Sequence, residues 1–303
     1  MKIPLFSGSM TENSMKNVEV ALAVKANLGE CPRWDEKRQL LYWVDINKGQ
    51  LHCFDPHTGQ DQFLQFDEEI GCFSLRPLNG FVLGMRSGFY LLDGWNTELQ
   101  KVIDPEADLS MNRFNDGRCD AKGRFVAGSV CPFKDCAGAN IWSLDLDLQA
   151  TKIVDGLLTA NGTAFSPDCK TFYFSNTPKH VIYRGDYDLE SGAVSNIRAF
   201  YEFPFGNGRP DGAAVDSEGY YWTALYEGGR IGRISPEGEI VEEVKVPARC
   251  PTMLAFGGVD LRTLYITSVG NCSEEELQEY PHSGAIFKID VEVPGMIEHR
   301  FFM

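Results

Sequence analysis

One pattern recurs six times along this 303-residue chain. An apolar anchor is followed by a polar turn and then by a second short run rich in Tyr, Trp, Phe, Val and Ile. The anchors are Trp34, Leu75, Cys119, Phe165, Val215 and Phe256, at intervals of 41, 44, 46, 50 and 41 residues. Each unit continues into a second hairpin with an alternating apolar pair and Asp or Ser at its exit, as at 50–55, 140–145, 230–235 and 285–290. Helical periodicity is nearly absent, and Gly, Pro, Asn and Asp clusters punctuate the runs, as in an all-β chain. Four short strands per unit with no helix between them is the arithmetic of a propeller blade. The expected fold is therefore all-β, a six-bladed β-propeller with four-stranded antiparallel blades. Residues 18–303 are assigned to that single domain and 1–17 to an N-terminal extension.

Two tails lie outside the six units, 18–24 and 296–302, and either is expected to supply the missing outer strand of the last blade. Closure of that kind leaves no free sheet edge. One helix is expected, over 273–280, where Ser273 and Glu276 have capping-box spacing. It belongs to a long loop of the sixth unit that reads as a plain connection or as a lid.

Charge narrows the partners. Asp and Glu number 43 against 28 Lys and Arg, a net charge of −15 that repels nucleic-acid phosphates and anionic lipid heads. Neither nucleic acid nor a membrane is an expected partner. The first residues carry an apolar stretch too short for a signal peptide, so a cytoplasmic location is expected. Nine cysteines without a Cys-x-x-Cys pair indicate neither a disulfide framework nor a thiolate zinc site, and they read as reduced core thiols.

The innermost strands of a propeller line its central channel, so residues at one repeat position form a ring. Four residues before the anchors stand Glu30, Gly71, Asn115, Asn161, Asp211 and Thr252. Two carboxylates and two carboxamides thus fall on one ring. Taken singly, each context is also an ordinary turn: Asn115-Asp-Gly, Asn161-Gly and Pro210-Asp-Gly are all turn signals. Taken together, they form an anionic oxygen-only set suited to Ca²⁺, Mg²⁺ or Mn²⁺. Arg113, two residues before Asn115, is read either as an ion-pair partner of the carboxylates or as a guanidinium fork for an oxygen-rich substrate. His52 and His57 read as packing or surface residues. A nucleophile elbow, His-Glu-x-x-His, a Walker loop and a dinucleotide fingerprint are all missing from the sequence.

At these residues the chain resembles the regucalcin and gluconolactonase family of six-bladed propeller lactonases. The resemblance runs from about residue 18 to the end. It rests on Leu28-Gly-Glu-Cys-Pro-Arg-Trp34, Arg113-Phe-Asn-Asp-Gly-Arg118, Asn161-Gly with Ser166-Pro-Asp168, Arg209-Pro-Asp-Gly212 and Pro251-Thr-Met-Leu-Ala-Phe-Gly-Gly258 leading to Leu264-Tyr-Ile-Thr-Ser268. The resemblance implies a metal-dependent sugar lactonase in which Glu30, Asn161 and Asp211 hold one divalent ion while Arg113 and Asn115 contact the lactone. The ion's identity stays open among Ca²⁺, Mg²⁺, Mn²⁺, Zn²⁺ and Fe(II). One departure is local: where animal members carry a glutamate pair that holds sugar hydroxyls, this chain reads Ser129-Val-Cys-Pro-Phe-Lys134. The ending Gly284-Ala-Ile-Phe-Lys-Ile-Asp290 with Val293-Pro-Gly295 is closer to sugar-catabolic lactonases.

The expected chemistry is opening of an aldonolactone to its acid, with the ion polarising the carbonyl and Asp211 as general base for water. The alternative is Asp211 as a ligand alone, with metal-bound hydroxide as the nucleophile. Two other classes compete: a calcium-binding propeller without turnover, and an interaction platform, since Leu41-Tyr-Trp-Val-Asp45 is similar to the repeats of receptor propellers.

Overall fold

The computed structural model describes residues 17–133 and 137–302, so the assigned extension lies outside the described residues except for Asn17. Six four-stranded antiparallel sheets follow one another along the chain. Their innermost strands are Gly29–Asp35, Ile70–Leu75, Arg113–Cys119, Ala160–Phe165, Arg209–Val215 and Pro251–Gly257. Each carries one of the six anchors, so the repeat and the blade coincide. Polar outer strands such as Gln60–Gln65 and Ala193–Glu202 face solvent. An aspartate tightens several first turns: Asp35, Asp120 and Asp216 each accept the backbone N–H two residues on.

Closure of the ring uses the N-terminal tail. Glu19–Leu22 pairs with Ile286–Asp290 as the outer strand of the sixth blade, and 296–302 forms no strand. That C-terminal segment instead covers the channel end reached by the last residues of the inner strands. Phe301 is buried and its N–H donates to the Leu75 carbonyl at 2.9 Å, while Arg300 pairs with Asp35 and Glu36 at 2.9 and 2.8 Å.

The expected helix is present as Glu274–Glu279. The Ser273 hydroxyl caps it by accepting the Glu276 N–H at 3.2 Å. Leu40–Asp45, the receptor-like run, is a buried second strand. Trp43 is fully buried and the Asp45 carboxylate accepts the Asn27 and Leu28 N–H groups, so the run presents no docking face. His52 is buried against Trp43, with ring centroids 3.8 Å apart, and bonds to Asp61 at 2.7 Å.

The reading of all cysteines as reduced is corrected at one position. Cys31, Cys53, Cys72, Cys119 and Cys250 are free and buried, but Cys131 is disulfide-bonded. It lies just past the strand Phe125–Val130. No helix among the described residues is long and apolar enough to cross a membrane.

Candidate active site

The ring residues sit near the start of each inner strand, at the channel end opposite the C-terminal segment. A register shift interrupts the pairing of every inner strand there: Glu30/Arg33, Ile70/Cys72, Phe114/Asp116, Asn161/Ala164, Pro210/Ala213 and Pro251/Leu254. A bulge adds a residue to one strand and re-aims its side chain, which frees the ring position from regular alternation. The dipeptides that resemble turns are these bulges. Gly162 has φ +64°, and a Cβ there would lie 2.2 Å from the Tyr221 hydroxyl, which donates to the Gly162 carbonyl at 2.8 Å. Gly71 marks a closer approach still, since its Cβ would lie on the Phe114 carbonyl. Blade 2 therefore brings only backbone to the ring. Thr252 of blade 6 is buried and ties blades together, donating to the Gly29 carbonyl.

The remaining four side chains are mostly buried, with Glu30, Asn161 and Asp211 only 4–5% exposed. A directional relay fixes the amides. Arg113 Nη1 donates to Asn115 Oδ1 at 2.8 Å, and Asn115 Nδ2 donates to Asn161 Oδ1 at 2.7 Å. Asn161 Nδ2 then donates to the Thr177 hydroxyl at 2.9 Å, which donates to the Pro210 carbonyl at 2.7 Å. The Asn161 oxygen therefore faces the ring with one lone pair spare, because a carbonyl oxygen accepts twice. Sequence reading separated Asn161 from Asn115 by role; structurally they touch.

The carboxylates oppose one another electrostatically. Burial, then the Asp116 charge, pushes the Glu30 carboxyl up to about 8, although the Cys31 N–H and Arg113 pull it down. Burial, then Glu30 and Asp116, holds Asp211 well above the usual range. Asp116 is a third channel carboxylate that the sequence reading took for part of a turn. Its Oδ2 accepts the Thr163 N–H at 2.8 Å and its Oδ1 has no partner. Deeper, Arg33 donates to the Pro32 and Gly117 carbonyls, and Arg118 bonds to the Ala213 carbonyl and to Glu298 of the C-terminal segment at 3.4 Å.

These residues fit a divalent cation. Two buried carboxylates whose proton affinity is raised by burial and by neighbouring carboxylates gain most from a nearby positive charge, and the pinned carboxamide oxygen supplies a third hard donor. Among the described residues no group of three or more His, Cys, Asp or Glu is gathered as a metal centre, so any ion here depends on the carboxamide.

Sequence reading also missed Thr177 and Arg209. Thr177 bears no repeat signature. Arg209 stands two residues before Asp211, the same step that singles out Arg113 before Asn115, so its signal was available.

Residues 28–270 match the family described as SMP-30/gluconolactonase/LRE-like region. The chain belongs to this family. A 6-deoxy-6-sulfogluconolactonase from Pseudomonas putida is 46% identical over 276 residues, spanning 90% of this chain and 94% of the relative. Regucalcin of Xenopus laevis is 33% identical over 90% of this chain and 93% of its own length. A calcium-binding regucalcin from Agrobacterium tumefaciens superposes with a TM-score of 0.91 over 95% of this chain and 98% of that one, at 24% identity, which speaks to the fold alone. Sugar lactone hydrolysis, the activity that goes with the family and its lactonase members, is the activity of this chain.

Proposed function

We propose that Glu30, Asn161 and Asp211 hold one divalent cation on the propeller axis, that Arg113 and Asn115 position the lactone, and that Asp211 accepts the proton of the attacking water. The observation that carries this reading is a pair of buried carboxylates at one ring position, with raised proton affinities, on the same ring as a carboxamide fixed by hydrogen bonds at both ends. When bound, the cation supplies Lewis-acid polarisation of the lactone carbonyl and compensates the two carboxylates.

The chain's own groups do the rest. Arg113 spends one Nη on Asn115 and the Phe114 carbonyl, leaving further guanidinium donors for ring and hydroxyl oxygens of the sugar. Asn115 is held from both sides, so the lactone meets a fixed amide instead of one that must be ordered on binding. Asp211, ionised once its repulsion from Glu30 is offset, takes a proton from water as the water oxygen bonds to the carbonyl carbon. The ring C–O bond then breaks, Asp211 passes that proton to the departing ring oxygen and the hydroxy acid leaves.

The relative with 46% identity is named for a lactone bearing a sulfonate at carbon 6, which makes an anionic hexonolactone the first substrate to try. Acid release from hexono- and pentonolactones, followed before chelation, after it and after resupply of a divalent cation, tests the reading. Activity should vanish and return. An undiminished rate in protein assayed free of metal would sink it, and bound metal with no acid release would favour a calcium-binding propeller without turnover.

A further inference from the structure

A second guanidinium stands at the mouth and the mechanism above does not use it. Arg209 opens the inner strand of blade 5 at the step that Arg113 occupies in blade 3, so the two flank the blade that carries Asn161. Arg209 stands two residues before Asp211 on that strand, beside the ring position of blade 5. The guanidinium lies against the Tyr226 ring, 4.9 Å from its centroid, and one Nη pairs with Glu227 at 2.7 Å. Its side chain remains 30% exposed, so the guanidinium is braced yet still reaches solvent. Beside it, Phe205 is 80% exposed and packs on His180 with centroids 4.2 Å apart. Burial, then the Arg209 charge, disfavours the protonated form of His180, whose buried Nδ1 has no partner among the described residues. This side of the mouth thus offers one apolar face and one braced cation on a protein that carries a net −15.

We infer that Arg209 binds the distal end of the substrate and selects lactones that carry an anionic group, sulfonate or phosphate, on the carbon farthest from the carbonyl. The inference rests on the lactonase reading of the ring and adds a specificity residue to it. A carbonyl held at the axis directs the far carbon outward, and a guanidinium pairs with tetrahedral oxyanions through two donors. Glu227 competes with the substrate for the same fork. Removing it should strengthen binding of the anion, whereas a purely structural Arg209–Glu227 pair would be weakened from either side.

The test compares glucono-1,5-lactone with its 6-sulfonate and 6-phosphate analogues in wild type, Arg209→Gln, Arg209→Lys and Glu227→Gln. Titration calorimetry with the corresponding aldonic acids runs beside turnover. Wild type should favour at least one anionic ligand by about tenfold to a hundredfold, the scale of one charge-assisted hydrogen-bonded pair. The preferred arm tells sulfonate from phosphate. Arg209→Gln should erase the preference, read as the ratio of anionic to neutral affinity, Arg209→Lys should restore part of it, and Glu227→Gln should enlarge it. Equal affinity of wild type for neutral and anionic acids overturns the inference while leaving metal-dependent hydrolysis of the neutral lactone intact. Parallel losses in Arg209→Gln and Glu227→Gln overturn it too. The binding arm decides even if no lactone is turned over, an outcome that would count against the ring's chemistry instead.

Discussion

Thr177→Val isolates the support of the proposed cation ligand from the ligand itself. The substitution keeps the side chain's shape but deletes a buried hydroxyl that accepts from Asn161 Nδ2 at 2.9 Å and donates to the Pro210 carbonyl at 2.7 Å. The Pro210 carbonyl keeps a long bond from Ser175 at 3.4 Å, whereas Asn161 Nδ2 has no other hydrogen bond. Stranding one buried donor costs about 1–3 kcal/mol and losing the second bond adds about 1, so a destabilisation of about 2–4 kcal/mol is expected. For a chain of this length that corresponds to a melting shift of roughly 3–6 °C. The amide of Asn161 would also lose one of its two anchors, and loss of a ligand's supporting partner typically weakens metal binding about 10- to 100-fold. Differential scanning calorimetry of chelated protein gives the first quantity and titration with Mn²⁺ the second. A melting point within about 1 °C of wild type together with unchanged Mn²⁺ affinity would refute the relay as a determinant of the site.

Glu30→Gln and Asp211→Asn each remove a formal charge from the ring, so both should abolish stoichiometric cation binding while raising the stability of chelated protein at alkaline pH; metal analysis and melting curves check this. Arg113→Ala and Asn115→Ala should retain the metal, and for Arg113→Ala the loss of a charge-assisted contact worth about 1.5–3 kcal/mol lowers kcat/KM by about one to two orders of magnitude. Loss of metal in either variant would withdraw the substrate-contact role. Chelated wild type should lose stability as pH rises from the ordinary carboxylate range through about 8, because Glu30 is pushed up to about 8 and must ionise against burial and Asp116. Cation resupply should flatten that slope, and identical slopes with and without cation would contradict the pairing.

The blades were legible because a 41- to 50-residue period survives wherever each unit buries the same face against its neighbours. Glu30, Asn115, Asn161 and Asp211 were legible through a shared offset from apolar anchors. The turn-like dipeptides at three of these positions were ambiguous for a physical reason: bulges and turns both favour Gly, Asn and Asp where the chain must leave regular strand geometry. Which tail closes the last blade was not legible, since 18–24 and 296–302 are both short and carry apolar residues, and only the path across the channel end distinguishes them. Thr177 escaped because it lies 16 residues from Asn161 in a turn, and Glu298 because its partner Arg118 is 180 residues away. Asp116 was hidden in plain view, adjacent to Asn115 and absorbed into a turn signal.

Anomalous diffraction from crystals soaked in Mn²⁺ would show the ion itself. One strong peak is expected on the propeller axis, with oxygens of Glu30, Asn161 and Asp211 at about 2.0–2.6 Å, and it should disappear in Asp211→Asn. No peak at the ring in Mn²⁺-saturated crystals of active enzyme, or a peak bound by other side chains, would contradict the proposed cation site.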